Sequence, residues 1–277
     1  MPQATFIMQA ILSQPTSPKC CLRLSERLLS IASTDGGDEP RIHHTAYALN
    51  PGVDQAHQIQ SVLDTPEALP ANCSEVMLLV DSPVVLIPAD EYDTDRVSTL
   101  YDQTITGHEQ EVKVSIKIDQ LSCVAVFPID SATQKTLEKR FSNLHIYPCD
   151  WSVWLHFLAT DQHLHRNPLY GYFHDNGLDI FRFQHDRLRF FNRFAVEQAP
   201  DALYFLLNVW RQLGMDAETD HLVLVGPQPA ELKERLERHL RHVTVSTLAI
   251  DIAERQAADI ADMPYDLLLM LERQVKG

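Results

Sequence analysis

The most regular hydrophobic pattern lies in the C-terminal part of the chain. Short apolar or alternating segments there are typical of strands, and later segments with apolar residues every three or four positions are typical of helices. The pattern predicts the order β-β-β-α-β-α-β. The predicted elements are strands at 169–174, 178–184 and 187–194, a helix at 200–213, a strand at 221–225, a helix at 229–240 and a strand at 243–245. An amphipathic helix at 265–274 follows and is expected to return to the N-terminal part.

The N-terminal part follows a looser version of the same order. Two continuous apolar runs in it, 76–80 and 84–87, are bounded by turn residues and predict an antiparallel pair that is buried on both faces. The other predicted elements are strands at 21–24, 28–32, 42–49, 112–118, 123–127 and 144–147, and helices at 54–63, 89–104, 131–141 and from 151 onward. With a length of 277 residues, the pattern predicts two domains, at residues 1–165 and 166–277.

Asn176-Gly177 is the strongest turn signal in the chain. A two-residue type I′ hairpin requires positive φ at both central residues, and asparagine and glycine are the residues that tolerate it. We therefore expect a tight hairpin between the strands at 169–174 and 178–184.

Arginines cluster on the strand that follows this hairpin. Strict alternation would put Arg187, Arg189 and Arg193 on one face of the strand and Phe190 and Phe194 on the other. Two interpretations stay open. The arginines can form a solvated sheet face that pairs with acidic residues elsewhere, or they can form a docking patch for an acidic or phosphorylated protein partner.

Charge and hydropathy narrow the classes of partner. The formal net charge is -15, and a surface that acidic repels phosphate backbones, so we expect no nucleic-acid partner. No window approaches the roughly 20 consecutive apolar residues of a membrane span. The first residues lack the basic and apolar regions of a signal peptide. These features favour a cytoplasmic protein without a membrane span.

The cysteines and histidines form no recognisable metal or redox motif. The five cysteines include no C-x-x-C pair. Cys73, Cys123 and Cys149 lie in or beside apolar runs, where a thiol acts as a small buried hydrophobe. The closely spaced histidine pairs lack the i, i+4 spacing of a metal-binding helix. We expect structural cysteines and no metal site.

The chain lacks the common catalytic motifs. It has no P-loop, no nucleophile elbow and no dinucleotide-binding fingerprint. A nuclease of the ribonuclease H type needs several carboxylates that converge on two metal ions. Asp175 and Asp179 are candidates for such a role, but their spacing around the turn and the acidic surface argue against it.

Three strands followed by alternating helices and strands resemble the ribonuclease H-like half-domain. Two such halves in tandem make the actin-like ATPase fold, an α/β fold with mixed sheets flanked by helices. The chain also resembles DUF3822, a bacterial family of unknown function that shares this fold. The resemblance covers nearly the whole chain and brings no known activity. It rests on the segments Tyr170 to Phe194, Leu222 to Gly226 and Met263 to Leu268.

The resemblance implies a position for a nucleotide site in the cleft between the halves. In actin-like ATPases each half offers an Asp-x-Gly turn to the phosphates, because glycine lets backbone N–H groups approach them. Asp175 and Gly177 match the turn of the second half, and Gly226 matches the later adenosine turn weakly. The first-half turn, Ser25-Glu26-Arg27, has no glycine, and its carboxylate would repel a triphosphate by a few kcal/mol.

Two functional hypotheses follow. The first is a non-catalytic actin-like scaffold or protein-interaction module with an eroded nucleotide site, which needs no cofactor and binds an unidentified protein partner. The second is an ATP-binding protein, ATPase or kinase that uses ATP and Mg²⁺ in the cleft. The sequence predicts no catalytic residue and leaves a homodimer open.

Overall fold

The computed structural model describes residues 20–34, 41–70, 73, 75–164, 167–175, 177–184, 187–246 and 262–276. The strands are β1 (Cys20–Leu24), β2 (Leu28–Thr34), β3 (Ile42–Ala48), β4 (Val76–Val80), β5 (Val85–Pro88), β6 (Val112–Ile118), β7 (Cys123–Ile129), β8 (Leu144–Pro148), β9 (Leu169–His174), β10 (Gly177–Gln184), β11 (Arg187–Ala195), β12 (His221–Val225) and β13 (His242–Val245). The helices are α1 (Gln55–Leu63), α2 (Val97–Thr104), α3 (Ser131–Arg140), α4 (Asp150–Leu164), α5 (Ala199–Gln212), α6 (Leu232–Leu236) and α7 (Tyr265–Lys276).

The first half is built on a mixed five-stranded sheet with the order β3-β2-β1-β4-β8. β1 and β2 form a hairpin around residues 25–27, and β4 lies parallel to β1 on its other side. Ile59 and Leu63 of α1 and Leu137 of α3 pack in the core beside this sheet. The strand and helix order of this sheet is that of a ribonuclease H-like half.

A small antiparallel sheet, with the order β5-β7-β6, is inserted between β4 and α3. The prediction that the runs at 76–80 and 84–87 pair with each other is wrong. β4 joins the large sheet between β1 and β8, and β5 pairs with β7. The predicted burial on both faces holds for β4 but not for β5, in which only Ile87 is buried and Pro88 is exposed. Two adjacent apolar runs do not show which sheet each strand enters. The insertion explains why the N-terminal pattern matches the half-domain order loosely.

The second half has the predicted order β-β-β-α-β-α-β, in a sheet with the order β11-β10-β9-β12-β13. The large sheet of each half therefore combines three antiparallel strands with two further strands that lie parallel to the first of them. The predicted helix at 229–240 is shorter in the structure and spans Leu232–Leu236, because Glu231 has a φ of 61° and cannot belong to a right-handed helix.

The predicted helix at 89–104 is also shorter and begins at Val97. The acidic residues before it form turns instead. The Asp93 side chain accepts a hydrogen bond from the Asp95 N–H at 2.9 Å. Aspartate side chains compete for backbone N–H groups in this way and favour turns over helix interiors.

The central hydrophobic cluster joins the two halves and the inserted sheet. It combines apolar side chains of α4, of β7 in the inserted sheet, of β9 and β10 in the second half, and of α7. Trp154, Phe181 and Tyr172 are among its fully buried members. A separate cluster packs Leu267, Leu268 and Leu271 of α7 against the first sheet. The last helix thus returns to the first half.

The cysteines differ in part from expectation. Cys123 and Cys149 are buried thiols, as predicted, but Cys73 forms a disulfide with Cys20, with the Cα atoms 6.3 Å apart. Cys20 of β1 lies opposite Val76 of β4 in the sheet, and Cys73 comes three residues before Val76. The pairing of these two strands therefore places Cys73 next to Cys20. The two cysteines are 53 residues apart in sequence, so only the strand pairing reveals their proximity.

Among the described helices, none combines the length and the apolar character that crossing a membrane requires.

Candidate functional site

A cavity of about 610 Å³ opens between the two halves. The first half contributes the β1–β2 turn, Ser25 to Arg27, and Asp81, which follows β4. The second half contributes His174, Asp175 and Gly177 at the β9–β10 hairpin, together with the end of β11. The cavity therefore lies where the resemblance to actin-like ATPases places a nucleotide.

The hairpin turn in this cavity differs by one residue from the sequence prediction. His174 and Gly177 are paired across β9 and β10, so the two-residue loop is Asp175-Asn176. Asp175 has a φ of 42°, and aspartate is one of the few residues that adopt the left-handed region. Asn176 lies outside the described residues. The carboxylate of Asp175 is consequently held at the tip of the hairpin and turned towards the first half.

The two candidate glycines have different positions. Gly177 lines the cavity, and a Cβ at this position would lie 3.2 Å from Cε1 of His174, so the missing side chain leaves room for the imidazole. Gly226 follows β12 and is not among the residues that line the cavity. Its φ is 79°, and a Cβ there would lie 2.2 Å from the carbonyl oxygen of Phe173. Gly226 permits close contact with β9.

Arg23 is buried beside the cavity without lining it, and its side chain connects the two halves. Its side chain is only 1% exposed. Nε donates to both carboxylate oxygens of Asp266 in α7, at 2.8 and 3.0 Å, and Nη2 donates to Asp175 at 2.8 Å. Nη2 also lies 3.7 Å from Asp81. A buried guanidinium thus lies one residue before the end of β1, immediately beside the first turn.

Arg193 makes the second connection. Its Nε and Nη2 donate to the two carboxylate oxygens of Asp179 at 2.8 and 2.9 Å, a bidentate arrangement. Nη1 donates to Asp81 of the first half at 2.9 Å, and Nη2 donates to Asp150, the first residue of α4, at 3.2 Å. One side chain from β11 therefore binds carboxylates in three separate elements.

The prediction that Arg187, Arg189 and Arg193 share a face is wrong. The β10–β11 register shifts between Arg182 and Phe183, which pair with Phe190 and Leu188, so Arg189 is an extra residue in a β-bulge. Beyond the bulge, Arg193 pairs with Asp179 and enters the cleft. Arg187 and Arg189 remain exposed on the surface. The three arginines predicted as one patch are thus divided between two places.

His174 extends the network within the second half. Its Nε2 lies 2.7 Å from Asp179, and its Nδ1 lies 3.7 Å from Asp81. Burial by itself would lower the pKa of His174, but the carboxylates of Asp179 and Asp175 raise it to about 10. His174 is therefore a cation at neutral pH.

The carboxylates of the cleft fall into two groups according to whether their pKa is lowered or raised. Burial tends to raise the pKa of Asp179, but Arg193 and His174 outweigh it and hold that pKa well below the usual range. Asp175 also has a lowered pKa, because His174 and Arg23 stabilise its charge. Burial raises the pKa of Asp81, and burial together with the neighbouring Asp179 raises that of Asp150 well above the usual range. The cleft thus combines two carboxylates with a lowered pKa, Asp175 and Asp179, and two with a raised pKa, Asp81 and Asp150.

In the part of the chain that the structure describes, two groups of residues could hold a metal ion by geometry alone: Asp81, His174 and Asp175, and Asp150, His174 and Asp179. In each group the potential ligand atoms lie within 4.8 Å of one another. Each of these carboxylates also accepts a hydrogen bond from an arginine. The guanidinium groups would therefore compete with a metal ion for these carboxylates.

Sequence reasoning missed Arg23, Asp81, Asp150 and Asp266. Two signals were available. Arg23 is a charged residue inside an apolar strand, and Asp81 directly follows the buried strand β4, where the carboxyl ends of parallel strands collect functional side chains.

Residues 9–243 match the family described as "Protein of unknown function (DUF3822)". The chain belongs to this family. The match spans the first sheet, the inserted sheet and the second half as far as β13. Among curated proteins, no sequence matches this DUF3822 chain.

Solved structures show the fold of this DUF3822 chain. A Bacteroides thetaiotaomicron protein with an actin-like ATPase fold and unknown function is similar, with a TM-score of 0.77, 18% sequence identity, and coverage of 93% of this chain and 96% of that one. A chain of the PilM-PilN type IV pilus biogenesis complex is also similar, with a TM-score of 0.55, 10% identity, and coverage of 94% and 99%. The fold is therefore that of actin-like ATPases, as the sequence predicted.

Proposed function

We propose that this DUF3822 chain is a non-catalytic actin-like scaffold that binds protein partners and holds its cleft together with ion pairs instead of a nucleotide. The observation that carries the proposal is the position of Arg23. Its guanidinium lies at the end of β1 and binds Asp175, the residue that matches the acidic position of the second phosphate turn.

The charge distribution in the cleft supports this proposal. Asp175 and Asp81, which face the cavity, already contact guanidinium groups of Arg23 and Arg193. A Mg²⁺ ion that used these carboxylates would have to compete with both arginines. The cost of weakening these ion pairs is below the roughly 3–5 kcal/mol of a fully buried pair, because the Asp175 side chain is partly exposed. Nucleotide binding would have to offset that cost.

The first turn supports the same conclusion. Ser25-Glu26-Arg27 lines the cavity without a glycine, so its backbone is less able to approach phosphate oxygens closely. The Ser25 N–H donates to the carbonyl of Leu28 at 2.9 Å, inside the hairpin. The exposed carboxylate of Glu26 repels a triphosphate. Within this turn, Arg27 is the residue that offers a positive charge to an anionic ligand.

A protein-binding role also fits one structural neighbour. The PilM-PilN complex contains a chain of this fold in an assembly of two proteins. The likeness is limited to the fold, so it supports an interaction role for such a scaffold without identifying the partner.

Isothermal titration with ATP and ADP in the presence of Mg²⁺ tests the proposal. We expect no binding tighter than about 100 μM, since the ion pairs must open first. Micromolar binding that is lost in Asp175→Ala and kept in Glu234→Ala, an exposed control in α6, would overturn the proposal. That result would favour the ATP-dependent alternative, in which Asp175→Ala also abolishes hydrolysis or phosphoryl transfer.

A further inference from the structure

Two grooves run between β5 of the inserted sheet and β11 of the second half. The first has a volume of about 540 Å³ and is lined by residues 188–193 of β11 and residues 83–86 at the start of β5. The second, of about 980 Å³, continues along residues 187–189 and 88–90. Six consecutive residues of one strand line the first groove. Since alternate residues point to opposite faces of a sheet, a groove lined by consecutive residues lies along the edge of the strand.

β11 is the edge strand of its sheet, and it pairs only with β10 among the described strands. An edge strand directs every second N–H and C=O away from the sheet. The N–H of Arg193 donates to the side chain of Asn192 at 3.0 Å, so a side chain of β11 itself caps this backbone group. An added strand would have to replace that bond and use the other outward-facing N–H and C=O groups of β11.

β5 is less suited to strand addition. Its four residues end in Pro88, which has no N–H group, and Pro83 lies just before the strand. β11 has nine residues and no proline. Residues 188–193 span about 20 Å, and the residues beyond the bulge at Arg189, Phe190 to Arg193, keep a regular register to which an added strand can pair.

The side chains along the groove indicate what kind of strand fits. Val84, Leu86 and Leu188 provide apolar walls and extend the central hydrophobic cluster. Arg187 and Arg189 are exposed and form no ion pair with any residue in the described ranges. Within the described residues these two arginines form a local positive patch without an ion-pair partner, and such a patch favours carboxylates on a bound segment.

We propose that the groove along β11 binds an extended segment of a partner protein, in which acidic residues alternate with apolar ones and which adds to the edge of β11 as a further strand. Backbone hydrogen bonds to β11 provide affinity, the apolar residues enter the groove, and the carboxylates pair with Arg187 and Arg189. This inference rests on the proposed scaffold function, to which it adds the chemistry of the partner.

Selection of a phage-displayed library of random 12-residue peptides on the full chain tests the proposal. We expect enriched peptides with aspartate or glutamate at alternate positions and apolar residues between them. The double variant R187E/R189E should weaken their binding at least tenfold. Arg189→Gln, which removes a single charge, should weaken it less. Arg238→Glu, a charge reversal at an exposed position of the same half, should change it less than twofold.

Hydrogen exchange of the complex tests strand addition separately from charge. Bound peptide should slow amide exchange in residues 187–195, because an added strand protects outward-facing N–H groups. The proposal is overturned if no peptide is enriched, if R187E/R189E leaves binding unchanged, or if protection falls elsewhere. The nucleotide titration that tests the scaffold proposal is independent of these peptide experiments, because neither Arg187 nor Arg189 lines the cleft cavity. Failure of this inference is therefore distinct from failure of the scaffold proposal.

Discussion

Arg23 is a fully buried arginine within an apolar strand, and the fold must supply partners for its charge. Asp266, 243 residues later in sequence, accepts from Nε, and Asp175 accepts from Nη2. The sequence shows that a cation interrupts the strand Cys20–Leu24, but not which carboxylates meet it. Asp266 and Asp175 reach Arg23 only because α7 and the second half pack against the first half.

Arg193→Met should strongly destabilise the protein. The substitution keeps much of the side-chain volume and leaves Asp179, Asp81 and Asp150 without their guanidinium partner. We expect a loss of about 3 kcal/mol in the free energy of unfolding. Urea denaturation at pH 7 measures it. Arg187→Met on the same strand is the control, and its exposed side chain should contribute less than about 0.5 kcal/mol. Equal effects of the two substitutions would contradict the network.

His174 should make stability fall as the pH rises above neutral. Its pKa is raised to about 10 in the fold, against about 6.5 in an unfolded chain. The stabilisation is therefore complete below pH 6.5 and is lost between pH 6.5 and 10, by at most about 1.4 kcal/mol per pH unit. Unfolding free energies measured across this range should show a smaller slope in His174→Gln. The exposed His239→Gln should keep the wild-type slope, and an unchanged slope in both variants would refute the assignment.

At the scale of elements, local patterns predicted which segments form strands better than where strands pair. The order of the second half follows from its hydrophobic period and is confirmed by the structure. The prediction that Arg193 shares a face with Arg187 failed because Arg189 is an extra residue in β11, and one bulge changes the face of every later side chain. No local signal in the strand marks the bulge. It became visible only from the register with β10.

Gly226 connects β12 to its surroundings through a close backbone contact. Gly226→Ala should destabilise the second half by about 2–4 kcal/mol, because the added Cβ would combine a positive φ with an overlap at the Phe173 carbonyl. Gly214→Ala is the matched control, with a φ of 64° and nothing within 4 Å of its Cβ. It should cost about 1 kcal/mol. Thermal denaturation of both variants measures the difference, and equal losses would exclude the close contact as the cause.

At the scale of the whole molecule, the central cluster and the cleft network connect the same parts. The cluster joins α4, the inserted sheet, the second half and α7 through apolar side chains. The network joins β1, the end of β4, α4, β9–β11 and α7 through Arg23 and Arg193. Apolar burial stabilises the arrangement, and the ion pairs fix the relative position of the two halves at the cleft.

This continuity predicts that the two halves unfold together. Scanning calorimetry should show one transition, with equal calorimetric and van't Hoff enthalpies, and far-UV circular dichroism should follow the same midpoint. Arg193→Met should lower that midpoint without splitting the transition, because the central cluster remains. Two resolved transitions in the wild-type protein would show that the halves are stabilised independently.

The sequence by itself determined the order of elements in the second half, the position of the β9–β10 turn to within one residue, and the absence of glycine in the first turn. These features depend on local periodicity and on the backbone preferences of individual residues. Only the tertiary structure decided that β4 and β5 enter different sheets, that Cys20 meets Cys73, and that Arg23 and Arg193 join the two halves at the cleft with ion pairs. Each of these depends on segments far apart in the chain, whose approach is set by packing and strand register and leaves no local pattern.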